Sequence, residues 1–278
     1  MTDTLVETTP DLGAVKQRQQ QAWASGDFHV VAARIVLVAE RLVDTADLHA
    51  GWHVLDVATG SGNAAIAAAR LGCTAVGVDY VPSLLERGRQ RAAAEGLDVS
   101  LLEGDAEALP FPDRSFDAVT SVFGSMFAPD HARAAAELVR VSRPGGTIAL
   151  ASWTPDGFIG ELFRTVASHV SPPPGVASPM LWGTESHLRE LFGDGIASLD
   201  VVEGTFTFRF RSSEEFVDFF RTWYGPTVKA FAALDGEGRA ALQRDLVELA
   251  ERHNRLDGGD AIAIPATYTE AIAITRER

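Results

Sequence analysis

One cysteine, Cys73, is all the chain has, so no internal disulfide can form and a reducing cytoplasm is the expected setting. Long apolar runs are missing too, and no segment is long enough to cross a bilayer. The opening MTDTLVETTPDLG is acidic and polar where a secretory signal is basic and then apolar. Cations are scarce. Against 38 Asp and Glu stand 24 Lys and Arg, a net charge of −14, and no basic cluster offers a phosphodiester backbone a foothold. Neither nucleic acid nor a membrane is expected as a partner, no metal site is expected, and no internal repeat interrupts the chain.

What is present is a chain of 278 residues, 46% of them hydrophobic, enough for a large core. The expectation is a single domain, 1–278. Its first part, 1–50, reads as a helical cap: after a polar tail, residues 14–48 hold two helices joined by a turn at Ser25-Gly26-Asp27. From 51 to 155 short apolar runs alternate with Ala-, Arg- and Glu-rich stretches, the pattern of strand-helix units around a parallel sheet. Strands are expected at 53–58, 74–79, 98–102, 116–122 and 146–152, and helices near 63–71, 83–95 and 130–142. Residues 156–211 contain a Pro- and Gly-rich loop at 171–183 and a strand at 198–210. A helical insertion, 212–260, precedes a last strand at 266–275 within 261–278. Ser212 and Glu215 have capping-box spacing, and Phe216, Phe219, Phe220 and Trp223 form one helix face.

The most informative segment is VLDVATGSGNAA, 54–65, where an apolar strand runs into a glycine turn and then an alanine-rich helix. Gly60 and Gly62 permit a tight turn and close approach of a ligand. With Ala65 they also satisfy a dinucleotide fingerprint. Asp56 argues against that alternative, because a carboxylate just before the turn would repel a pyrophosphate and attract an ammonium or sulfonium. The competing role for Asp56 is to accept backbone N–H bonds inside the loop. Asp79 ends the second strand at the distance expected of an acid that takes two ribose hydroxyls. Asp105, after the third strand, lies where an adenine amine could be read, beside the N–H of Ala106.

Together VLDVATGSGNAA, VGVDY, GDAEALPF, SFDAVTSVFGSMF and LVRVSRPGGTIALASW resemble the class I S-adenosylmethionine (SAM)-dependent methyltransferases, in particular the branch with quinone-biosynthesis C-methyltransferases and small-molecule enzymes. The resemblance covers about 50–155. It implies a Rossmann-like, doubly wound α/β fold of seven mostly parallel strands, the last antiparallel between the fifth and sixth. It implies SAM as cofactor and a small-molecule methyl acceptor. Asp56, Ala58, Gly60 and Gly62 would line the methionine part, Asp79 and Tyr80 the ribose, and Asp105 and Ala106 the adenine. Ser121, Val122 and Phe123, ending the fourth strand, would bind the cofactor where it lies beside the acceptor. Arg143-Pro144-Gly145-Gly146 resembles the family's turn into strand five. Trp23 and Phe28 are candidates for a lid, with a core role as the alternative.

Methyl transfer needs no protein nucleophile, and a base only when the acceptor must lose a proton. Of seven histidines, His131 is the candidate base, a solvent-facing start of helix 130–142 being its competing reading. The acceptor pocket is expected from the amino-terminal helices, loop 171–183 and the insertion. Two other functions stand beside this one: a SAM-fold protein that binds without transferring, and an NAD(P)-dependent oxidoreductase.

Overall fold

The computed structural model describes residues 11–277, so the polar start of the chain lies outside the described residues. Seven strands make one sheet: β1 (His53–Val57), β2 (Thr74–Asp79), β3 (Val99–Glu103), β4 (Phe116–Val122), β5 (Ser142–Trp153), β6 (Ile196–Phe210) and β7 (Ile262–Thr275). Their order is β3-β2-β1-β4-β5-β7-β6. The first five run parallel, and β7 lies antiparallel between β5 and β6, as the resemblance implies. β1 and β4 are buried almost throughout, on both faces, so neither shows the alternation of a strand with one face in water.

The order of the strands reverses between β1 and β4, and the crevice beyond their carboxyl ends is where open α/β sheets bind ligands. Helices α4 (Asn63–Arg70), α5 (Pro82–Ala94) and α6 (His131–Val141) connect the parallel strands. The Arg143-Pro144-Gly145-Gly146 turn is absorbed into β5 as a bulge, where the pairing jumps from Phe116↔Ser142 to Ala118↔Thr147.

The amino-terminal region differs from expectation. It holds three helices, α1 (Leu12–Trp23), α2 (Phe28–Ala32) and α3 (Val36–Thr45). The extra break, at Ala33 to Ile35, carries no Gly or Pro to announce it, and Ile35 at its end is buried and lines the sheet crevice. After β5 come α7 (Phe158–His169) and α8 (Glu185–Phe192). The segment 171–183 is a surface loop only in its first part. Its end, Pro179–Gly183, is a 3-10 turn that buries Met180 and Trp182 in the core.

The insertion consists of α9 (Ser213–Trp223), α10 (Gly225–Ala233) and α11 (Gly236–Arg252). Ser212 caps α9 by accepting the Glu215 N–H at 3.1 Å. Phe216, Phe219 and Phe220 are buried against Phe208 and Phe210 of β6, whereas Trp223, placed on the same face by spacing, is 37% exposed. Gly225 marks the closest approach of the insertion to α1. A Cβ there would overlap the Ala22 carbonyl, so only glycine lets the two backbones meet.

Candidate active site

The site begins with the turn after β1. Ala58, Gly60 and Gly62 have φ of 52°, 54° and 83°, and Gly62 opens α4. Glycine tolerates that region, but Ala58 does not do so freely, and such strain persists only where neighbours hold it. Asp56 is one of the holders. Its carboxylate accepts from Thr59 Oγ1 at 2.5 Å, Thr120 Oγ1 at 3.0 Å and the Ala65 N–H at 3.2 Å, tying β1, β4, the turn and α4 together. Burial pushes its pKa up to about 6, against these hydrogen bonds.

Asp79 is the second holder. Its two oxygens accept the backbone N–H groups of Gly60 and Val81, each at 2.8 Å. Burial raises this carboxyl to about 6 as well. A carboxylate has about four lone-pair sites, so acceptor capacity remains for a ligand. Beyond β3, Asp105 accepts the Glu107 N–H at 2.9 Å, while Lys16 Nζ reaches Asp105 Oδ2 at 2.6 Å and Glu107 Oε2 at 2.5 Å. Burial opposes the charge on Lys16, yet the two carboxylates hold its ammonium above the ordinary value.

Most of these groups share one cavity at the carboxyl edge of the sheet, with about 920 Å³ of free space including its open mouth. Trp23, Asp56, Ala58, Gly60, Asp79, Tyr80, Asp105, Ala106, Val122 and Phe123 line it, together with Phe28 and Lys16. Four carboxylates, with Glu107, therefore face one cation. Two expected residues stand apart. Gly62 shapes the turn from behind, and Ser121 is turned inward, its hydroxyl donating to Val57 O at 2.7 Å and accepting from the Ser125 N–H at 2.9 Å.

His131 is neither solvent-facing nor in this cavity. It is 6% exposed and sits 3.0 Å from His187, and burial followed by repulsion from that neighbour lowers its pKa to about 4. Its start of α6 is covered by α8, which the local sequence does not reveal.

Lys16 and Gln20 escaped sequence reasoning. Gln20 Nε2 donates to Tyr80 O at 2.6 Å, so α1 is fastened across the cavity at two points. Lys16 is one of two lysines in the chain, and a lone cation ahead of an acidic loop was the available signal. α2 is fastened too: Asn63 Nδ2 donates to Ala32 O at 2.9 Å, and His29 Nδ1 lies 3.1 Å from Ser61 Oγ.

A second cavity of about 400 Å³ adjoins the first, and Trp23, Phe28, Ile35, Phe123 and Phe127 line both. Its remaining walls are apolar or aromatic side chains from α2, β5, α7, β6 and α9, with Tyr224 between α9 and α10. No residue of 171–183 lines it, contrary to expectation; α7 takes that place with Ile159, Leu162 and Phe163. Phe123 has φ of 51° at the end of β4, and its ring stacks on Trp153 at 3.8 Å.

Residues 55–150, which carry the glycine turn and the carboxylates, match the methyltransferase domain family. The chain belongs to the class I SAM-dependent methyltransferases. This methyltransferase is 42% identical over 239 residues to an uncharacterized protein of Mycobacterium tuberculosis, an alignment covering 83% of this chain and 86% of that one. It is 40% identical over 146 residues to the demethylmenaquinone methyltransferase of Deinococcus radiodurans, covering 51% of this chain and 61% of that enzyme. The solved YcgJ protein of Bacillus subtilis shares the fold, with a TM-score of 0.59 at 21% identity over 86% of this chain and 98% of that one. With the family established, the methyltransferase reading displaces the oxidoreductase alternative that the glycine turn alone left open.

Proposed function

We propose that the larger cavity binds SAM and that the enzyme passes its methyl group to a small molecule in the adjoining chamber. The observation that carries this reading is convergence: Asp79, the Ala58–Gly60 turn, Asp105 with Ala106, and Val122 with Phe123 all line one hollow. The donor set fits the cofactor. Asp79 has lone pairs to offer ribose hydroxyls, the small side chain of Ala106 suits a flat base beside it, and the surplus of carboxylates suits a cation.

When bound, SAM supplies a methyl group activated on a sulfonium. The chain's own work is then to bind, orient and exclude water. Asp79 fixes the ribose, and Ala58 and Gly60 bring the turn backbone to the methionine part. Asp105, already neutralised in part by Lys16, reads the adenine edge with Ala106. Trp23 and Phe28, in edge contact at 5.2 Å, wall the cavity on the side of the adjoining chamber. Gly62 and Ser121 act on the turn and on β4 rather than on the cofactor. His131 has no part, being outside both cavities.

A lone buried thiol at Cys73 supports a cytoplasmic setting. The carboxylate-lined cavity supports a small-molecule acceptor over nucleic acid. Isothermal titration with SAM and with NADH tests the cofactor, the expected outcome being SAM binding alone. Incubation with methyl-labelled SAM and a cell extract tests transfer. Bound SAM with no labelled product across broad extracts would leave a binding protein in its place.

A further inference from the structure

The chamber beside the cofactor cavity is built largely from outside the span that matches the family. Trp23 and Phe28 precede residue 55, and Ile159, Phe163, Phe220 and Tyr224 follow residue 150. Its occupant is therefore specific to this chain's own caps. Aromatic rings dominate the walls: Phe123 lies flat on Trp153 with 1° between the planes, and Trp23 meets Tyr224 edge-on at 5.4 Å. Such surfaces favour a flat, apolar guest. Among the described residues no carboxylate and no Lys or Arg lines the chamber, so an ammonium, phosphate or carboxylate would lose its hydration there uncompensated.

Among the described residues, Tyr224 carries the one hydroxyl in these walls. It is 7% exposed, and burial is the sole influence on its phenol, raising it well above the ordinary range with no hydrogen bond among the described residues contributing. Its hydroxyl is not sealed in the core: among the described residues the fully enclosed side-chain polar atoms without a partner are Gln19 Oε1 and Trp182 Nε1. It keeps its proton through the neutral range and can donate it to a guest.

We propose that the chamber is the acceptor site, that its ligand is a planar, largely apolar molecule bearing an oxygen acceptor, and that Tyr224 positions it by hydrogen bonding to that oxygen. The inference rests on the SAM reading of the adjoining cavity. Tyr224 is a positioning residue and not a base, since its proton stays in place. The oxygen it holds fixes which atom of the guest faces the shared wall of Trp23 and Phe123.

The test uses the full-length protein loaded with S-adenosylhomocysteine, which permits binding without turnover. The probes are indanone and its carbonyl-free counterpart indane. The wild type should bind indanone roughly tenfold more tightly than indane, the scale of one buried hydrogen bond. Tyr224→Phe should erase that gap while leaving indane and cofactor affinity unchanged. Leu162→Trp, which fills the chamber, should weaken both probes and spare the cofactor. A gap that survives in Tyr224→Phe would overturn the role of Tyr224. Probes that ignore Leu162→Trp, or that fail to bind a wild type that takes up the cofactor, would overturn the chamber. SAM titration of the wild type is scored separately: its failure would remove the cofactor reading, and the same probes on the unliganded protein would still decide Tyr224.

Discussion

Asp79 does two jobs at once, pinning the glycine turn through the Gly60 N–H and facing the cavity. Asp79→Ala should therefore weaken SAM binding by about 1.5–3 kcal/mol, the scale of charge-assisted hydrogen bonds, as measured by titration calorimetry. An unchanged dissociation constant would remove it from the site. The raised carboxyls give a pH signature. Asp56 and Asp79 sit at about 6 against an ordinary 3.8, so the folded protein holds protons that the unfolded chain has already lost. Stability without ligand should thus fall as pH rises from about 4 to about 6 and then level off. SAM affinity should move the opposite way, tightening as the carboxylates ionise and flattening above about pH 7; thermal melts and titrations across this range check both. The positions of these acids on the strand ends were legible from sequence spacing. How Asp56 spends its lone pairs was not, because Thr120 meets it only when β4 pairs with β1. The inward turn of Ser121 was hidden for the same reason.

Among the elements, the strands announced themselves. β2 ends on Asp79, Gly104 and Gly124 follow closely on β3 and β4, and the seven-stranded order followed from the family likeness. The pieces set by tertiary contact did not: the third amino-terminal helix, the burial of Trp182 at the end of a proline-rich loop, and the use of α7 as a chamber wall. The contact between α1 and α10 is another such piece, and it has a consequence for stability. Gly225→Ala should push the Ala22 carbonyl away and destabilise the protein by about 1–3 kcal/mol, read as a lowered melting temperature. Because α1 also carries Lys16 and Gln20, SAM affinity should drop with it. Unchanged melting would show that the two helices are free to part.

Over the whole molecule, cofactor and caps stabilise each other. SAM at about one hundred times its dissociation constant should add about 2.7 kcal/mol to unfolding, which for a chain of this size raises the melting temperature by about 5–10 °C. Differential scanning fluorimetry with and without SAM measures it, and no shift at saturation would contradict a ligand that seals the folded state. The acidity of the chain, −14 overall, is distributed so that the cavity keeps more negative side chains than Lys16 can balance.

Trp23 belongs to both compartments, with its ring against Phe28, Phe127 and Tyr224. A partition shared in this way makes the two occupants answerable to each other: whatever factor one changes in its neighbour's affinity is returned in equal measure. Since the partition is an indole, that reciprocity can be followed by the protein's own fluorescence.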